Sequence, residues 1–375
     1  MASAQPERSD ETPAPAPPPP GRWPRRALHL ALGLAVGAAF LAIALWKVDV
    51  RELRKAFLRV DLTLFFPILA AVAAVYWLKA VRWAVLLRPL RAARPLAPRE
   101  VFPAVMIGFM ANNLLPAHLG EFVRMYVLAR EHGLKNTSVL STIVLERTLD
   151  FLAVIAFLAL SFQLVPLGED LKAIRTTGYL IGAVCGAAFL LFLAFALRPE
   201  ASLRAAEACL RSLERIARRG RRAGDAPSRI SKRVLELLAL GIDGLRSLES
   251  LRAVFAIALV TLVHWALNGL GLYLSALSFA PRVPLPAAAF LLSVTALGVT
   301  VPSAPGYLGT LQICFILALG PFGIPREEAF AASVYWTFFS YVPVTLAGYY
   351  FLGRLGLRLS TVGREADAER TAGAR

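Results

Sequence analysis

Six stretches of about twenty or more apolar residues constrain this chain more than any other feature. Ala27–Trp46, Gly178–Leu197 and Ala329–Leu352 contain no Asp, Glu, Lys or Arg at all; Leu62–Leu87, Ser138–Val165 and Leu251–Phe279 contain only a few charges. At 1.5 Å rise per residue, about twenty helical residues cross the ~30 Å hydrocarbon core of a bilayer. Lipid offers no hydrogen bonds, so such segments must satisfy their own backbones, and α-helices do so. The expectation is an all-α polytopic membrane protein, lying in the cytoplasmic membrane as a multi-pass chain. With 57% apolar and 18% charged residues, the composition excludes a soluble enzyme, a secreted disulfide module and a disordered regulator. The three cysteines, Cys185, Cys209 and Cys314, are too scattered for a disulfide framework. Four histidines without paired spacing predict no metal centre, and no cofactor is expected.

The formal net charge is +16. In a membrane chain this surplus reads as the accumulation of Lys and Arg in cytoplasmic loops rather than as nucleic-acid binding. It also suits anionic lipid headgroups. Arg22, Arg25 and Arg26 before the first run put the Pro-rich tail, residues 1–26, inside, where its composition predicts disorder. Arg88, Arg91, Arg94 and Arg99 mark a cytoplasmic linker, and Lys79 and Arg82 at the end of the second span are expected to snorkel toward it. Between 198 and 250, twelve Lys or Arg oppose seven Asp or Glu, and apolar residues recur at helical spacing, which predicts two basic cytoplasmic amphipathic helices. Residues 354–375 form a second cytoplasmic tail. The membrane part thus divides into halves, 27–197 and 251–353. Residues 47–61 read as an amphipathic helix on the membrane surface.

Two further apolar pieces are too short to be ordinary spans. Val101–Leu115 ends at Asn112, Asn113 and Pro116, and Leu119–Ala129 follows it; Ala287–Val301 ends at Pro302-Ser303-Ala304-Pro305-Gly306, and Leu308–Leu319 follows. Each pair reads as a re-entrant helical hairpin, 101–130 and 287–320. Both breaks carry P-x-x-L-G, at Pro116–Gly120 and Pro305–Gly309, 189 residues apart. Charge parity has the hairpins enter from opposite faces, the pattern of an inverted repeat with broken helices meeting near the midplane. The expected fold is about six full spans plus two hairpins.

Ionisable groups at membrane depth are costly and mark cavities or mutual pairing. The first hairpin supplies Asn112, Asn113, Pro116, His118, Gly120, Glu121 and Arg124. Glu121 and Arg124, at i and i+3, are expected to pair, and a helix starting after the break would turn free amides toward an anion. In the third span Glu146, Arg147 and Asp150 form E-R-x-x-D, with Arg147 in reach of Asp150. The alternative for this cluster is structural, packing against Arg124 or Lys79. His264 and Asn268, at i and i+4 in the fifth span, read as substrate contacts or a proton relay, or as packing residues. Gln312 after the second break is a weaker candidate of the same kind. Arg124 and Arg147 are expected to bracket one cavity, with Asn113 and the amides after Pro116 completing an anion site. No G-x-x-x-x-G-K occurs, so the chain is not expected to drive transport with its own ATP site.

Taken together, N-x-L-P-x-x-x-G-E-x-x-R at Asn113–Arg124, E-R-x-x-D at Glu146–Asp150 and P-G-x-L-G at Pro305, Gly306 and on to Gly309 resemble the lysylphosphatidylglycerol synthase transmembrane region, a family of flippase-like integral membrane proteins. The resemblance covers roughly residues 27–355. It implies transbilayer movement of an anionic or modified phospholipid, or of a polyprenyl-phosphate carrier lipid, with membrane lipids as partners and a separate glycosyltransferase or aminoacyltransferase as a further one. Two positions depart from the family's pattern: His118 stands where Arg is frequent, and Gln312 where Glu is frequent. No soluble globular segment follows Leu352, so lipid aminoacylation by this chain is not implied and it is not expected to be an enzyme. The competing readings are a membrane-embedded lipid-phosphate enzyme and an accessory subunit of a separate glycosyl- or acyltransferase.

Overall fold

In a computed structural model, residues 38–45, 48–90, 94–115, 119–164, 251–300 and 305–358 are described, with isolated positions 35, 183 and 187. The expectations for 1–26, for the Gly178–Leu197 span, for the 198–250 helices and for the end of the C-terminal tail lie outside them, as do Pro116 and His118. Among the described residues the chain is entirely helical, as the sequence requires. A short surface helix α1 (Val50–Leu58) precedes two successive sets of four. The first set is α2 (Phe65–Leu86), α3 (Pro98–Leu114), α4 (Gly120–His132) and α5 (Asn136–Leu164); the second is α6 (Leu251–Leu277), α7 (Pro286–Gly298), α8 (Thr310–Leu319) and α9 (Arg326–Arg354).

Segments Leu62–Leu86, Arg252–Leu277 and Arg326–Arg354 are long and apolar enough to cross a membrane. Helix α5 is equally long, at 29 residues, but carries the three charges of E-R-x-x-D. Helix α1 is capped by Asp49, whose carboxylate accepts from the N–H groups of Arg51 (2.7 Å) and Glu52 (3.4 Å), satisfying donors that a helix start leaves free. It buries no residue completely and rests its Phe57 ring edge-on against Phe279, as an interfacial helix would.

The hairpins form as expected. At 17 and 13 residues, α3 and α7 are about 26 and 20 Å long, short of the ~30 Å core. Each packs along the arm that follows it, α3 on α4 and α7 on α8. Small residues permit this approach: a Cβ on Gly120 would overlap the Gly108 carbonyl and the Asn112 amide, and one on Gly298 would overlap the Cys314 sulfur.

The packing of the two sets matches element for element. Helix α3 lies against α9, and α7 against α5; α2 and α6, the first member of each set, lie against each other. The α2–α6 pair is antiparallel. Asp61 N–H donates to Ser278 O (2.8 Å) at one end, Gly271 lies beside Ala71, and Arg82 donates to Thr261 Oγ1 (3.2 Å) toward the other. Equivalent helices that run in opposite directions are related by a two-fold axis perpendicular to them, so the repeat is inverted. Each half also has its own apolar core. Trp83, Val105, Ile107, Val123 and Ile143 belong to the first, and Leu272, Leu291, Phe315, Phe330 and Phe339 to the second. Outward-facing Phe66, Phe255, Leu262, Leu317 and Leu346 present the apolar surface that lipid requires.

Candidate functional site

The turn Pro305–Tyr307 of the second hairpin packs on α3 of the first. The α3 side is fixed by Asn113, whose Nδ2 donates to Thr345 Oγ1 (3.0 Å) and to the Tyr341 carbonyl (3.4 Å) on α9. Asn112 closes the first break locally: its Oδ1 accepts from Gly120 N–H (2.8 Å). On the other side Gly306 takes φ 71, and a Cβ there would meet the Tyr341 ring at 2.7 Å. The next residue, Tyr307, takes φ 57, a conformation that costs a bulky residue about 1–3 kcal/mol and recurs at functional sites.

A cavity of about 220 Å³ opens beside this contact, between the two halves. Helix α2 lines it with Val75, Tyr76 and Lys79, and α6 with His264, Trp265 and Asn268. These two triplets are also 189 residues apart, so the repeat read from P-x-x-L-G extends to the cavity wall. Asn112, Asn113, Arg147, Asp150, Gly306 and Tyr341 complete its polar surface, with Trp336 opposite. Of the sequence-derived candidates, Asn112, Asn113, Arg147, Asp150, His264, Asn268 and Gly306 therefore share one cavity.

Arg124 does not join them, and its expected bracket with Arg147 does not form. Arg124 is 2% exposed, lies 2.8 Å from Glu146 Oε2 without hydrogen-bond geometry, and stacks 4.8 Å above the Trp83 ring. The partner assignments also exchange. Glu121 does not pair with Arg124 one turn along its own helix; its Oε1 lies 3.2 Å from Arg147 Nη2, on α5. Arg147 in turn leaves Asp150 to others. Helix α4 docks on α5, so the carboxylate of each helix meets the guanidinium of the other, a geometry intrahelical spacing does not carry.

Beneath the cavity sits the residue that sequence reasoning misplaced. Arg82, expected at the membrane surface, is 1% exposed. Its Nη1 donates to Asp150 Oδ1 (2.6 Å) and Thr261 Oγ1 (3.2 Å), and its Nη2 to Glu146 Oε1 (2.9 Å). Lys79, equally expected to snorkel, is 8% exposed, 3.9 Å from Asp150 Oδ2 and 5.2 Å above the Phe109 ring. Trp265 Nε1 also donates to Asp150 Oδ1 (3.1 Å). The signal was present: Lys79 and Arg82 share a face of α2 as Glu146 and Asp150 share one of α5, and complementary charges at matching turns can meet across packed helices. The structural alternative for E-R-x-x-D, packing against Arg124 or Lys79, holds for Glu146 and Asp150, while Arg147 and Asp150 also reach the cavity.

Four candidates serve the backbone instead. Gln312 accepts from Gly309 N–H (2.6 Å) at the start of α8 and is 2% exposed. Gly309, at φ 85, forms that start, and Gly120 is the close contact of the first hairpin. Pro305 opens the second tip. Among the described residues no group of His, Cys, Asp and Glu is arranged to hold a metal.

The model of the family described as Lysylphosphatidylglycerol synthase TM region matches residues 30–348, which takes in both hairpins and the whole cavity. No curated protein matches the chain.

Proposed function

The chain belongs to the lysylphosphatidylglycerol synthase transmembrane-region family, and from that membership we propose that it is a flippase-like permease moving a lipid with an anionic or modified headgroup across the cytoplasmic membrane. The observation that carries the reading is a largely apolar cavity that brings Lys79, Asn112, Asn113, Arg147, Asp150, His264 and Asn268 together between the two hairpins. Transport sites of inverted-repeat proteins form where broken helices meet, because there the freed backbone groups line a cavity instead of facing lipid. The cavity's polar wall suits a headgroup, and its volume leaves acyl chains outside in the bilayer. Of the two acids that an embedded lipid-phosphate enzyme would use as base, Glu146 is engaged by Arg82 and Arg124 and Glu121 by Arg147, which favours transport over chemistry.

In this reading the polar linker that contains Arg94, the segment 198–250 and both termini face the cytoplasm, and the substrate is a phospholipid or carrier lipid that a separate glycosyltransferase or aminoacyltransferase modifies. Reconstitution of the full chain into liposomes, with a headgroup-accessibility assay on labelled anionic phospholipids, tests it. Faster exposure of label than in protein-free liposomes is expected, and equal rates for every candidate lipid would overturn it. The orientation is tested separately with Gly220→Cys, which should react with a membrane-impermeant thiol reagent only from the cytoplasmic side.

A further inference from the structure

The charges under the cavity do not cancel: buried Lys79, Arg82 and Arg124 face buried Glu146 and Asp150, and the more exposed pair Arg147–Glu121 adds one charge of each sign. Lys79, Arg82, Arg124 and Arg147 oppose Glu121, Glu146 and Asp150, leaving one cation in excess within this cluster of described residues. An uncompensated buried charge is expensive, so a cluster of this kind is incomplete until something of opposite sign joins it.

The excess can be located. Arg82 is held by two carboxylates, Arg124 by Glu146 and the Trp83 face, and Arg147 by Glu121. Lys79 has the Phe109 ring face and a 3.9 Å approach to Asp150, an acid already accepting from Arg82 and Trp265, and so no carboxylate of its own. Lys79 and Arg147 both line the cavity. His264 lines it too; it is 1% exposed, and neither of its ring nitrogens has a hydrogen-bond partner. A buried imidazole with both nitrogens unsatisfied normally indicates a missing ligand or water.

We propose that this cavity holds the phosphate of a monoanionic phosphodiester, with Lys79 and Arg147 supplying the positive charge and His264 one N–H donor. The inference rests on reading the cavity as a lipid headgroup site and specifies the headgroup chemistry. A single negative charge neutralises the cluster, whereas a phosphate monoester brings close to two at neutral pH. Lys79 supplies three donors from a compact ammonium, and Arg147 a planar fork. A neutral imidazole donates from one nitrogen and keeps the other as acceptor for a headgroup hydroxyl.

The test uses the full chain purified in a maltoside detergent, which carries no phosphate. Short-chain phosphatidylglycerol, short-chain diacylglycerol and inorganic phosphate are titrated, with the fluorescence of the cavity tryptophans, Trp265 and Trp336, as the readout. Phosphatidylglycerol should saturate the change and diacylglycerol should give none. Inorganic phosphate should bind more weakly than phosphatidylglycerol; equal binding would overturn the assignment to a lipid headgroup. Lys79→Met should weaken phosphatidylglycerol binding about tenfold or more, the usual effect of losing a charged hydrogen-bond partner, while Lys79→Arg should retain it. The lipid-free Lys79→Met protein should unfold at the wild-type temperature or above, because the substitution leaves three cations facing three anions. A lower unfolding temperature, or failure to fold, would overturn the claim that Lys79 is the unmatched charge. Unchanged binding by Lys79→Met or by His264→Phe would overturn the site. If the wild-type chain moves lipid in liposomes and Lys79→Met binds and moves it equally well, this inference falls and the transport reading stands. If the wild-type chain binds phosphatidylglycerol through Lys79 yet moves no lipid, the reverse holds.

Discussion

Arg82 Nη1 and Asp150 Oδ1 face each other at 2.6 Å across α2 and α5, sixty-eight positions apart in the chain. The same guanidinium holds Glu146 through its other terminal nitrogen at 2.9 Å, so one arginine bridges and orients two buried acids. Replacing Arg82 by Met would leave both acids in a low-dielectric interior with their main partner gone. Breaking a buried ion pair from one side costs about 3–5 kcal/mol. Arg82→Met is therefore expected to lower the unfolding midpoint in detergent by that much, and the double variant Arg82→Met with Glu146→Gln to recover part of it.

Arg147 should behave differently from Arg124, although both are arginines in the first half with a carboxylate partner. The Arg147 side chain is 42% exposed, and such a pair is worth about 0–1 kcal/mol. Arg147→Gln should keep wild-type thermal stability and lose lipid movement in the liposome assay. Arg124→Gln should lose stability first, because it strips Glu146 of a partner and Trp83 of its stacked cation. Identical thermal shifts for the two variants would contradict this division.

Gly120→Ala tests the first hairpin. The added methyl would overlap the Gly108 carbonyl and the Asn112 side chain, neither of which can swing aside without opening the break. Overpacking of this kind costs about 1–3 kcal/mol. Reduced thermal stability is expected, and an unfolding temperature equal to wild type would contradict the close approach of the two arms.

Glu100 provides a pH test outside the membrane-spanning helices. Arg94 holds its carboxylate at 2.7 and 3.0 Å, and the Ala97 N–H donates to it at 2.8 Å. The Arg94 hydrogen bonds, followed by the Ala97 amide, lower its pKa from 4.5 to about 2. A depressed folded-state value means the contribution is complete above about pH 4.5 and is lost as pH falls toward 2. Hydrogen exchange at the Ala97 amide should be slower at pH 5 than expected for an open helix start. That protection should shrink as the pH approaches 2, and Glu100→Gln should show weak protection throughout. The acid is close to the surface, so salt should reduce the effect.

Much of the frame is legible in the residues because lipid leaves few options. A stretch such as Arg326–Arg354 is helical on hydrophobicity alone, and the Asn-Pro and Pro-Gly punctuation marks both hairpin breaks. The repeat is legible from P-x-x-L-G because the same turn chemistry is needed twice. The ion cluster is only half legible. Helical spacing pairs Glu121 with Arg124 and Arg147 with Asp150, and both pairings fail because α4 and α5 exchange partners across their contact. Arg82 and Lys79 were assigned to the interface because long cations near a helix end can reach it. Burial of two acids on a helix distant in sequence drew them inward, and that depends on packing that sequence spacing does not encode.

The antiparallel α2–α6 pair relates the two repeats by a half-turn about an axis perpendicular to these helices. If the repeats were chemically identical, a conformation opening toward one leaflet and its counterpart opening toward the other would be degenerate in energy. They are not identical. All seven charges of the ion cluster lie on α2, α4 and α5, and the turn of α9 that corresponds to E-R-x-x-D carries Tyr335, Trp336 and Phe339. Exchanging the roles of the halves would press a charged wall where an aromatic one had been. In the proposed transport reading, the molecule thus carries its own bias about which leaflet it faces at rest, set by the distribution of its side chains and independent of any difference between the two sides of the membrane.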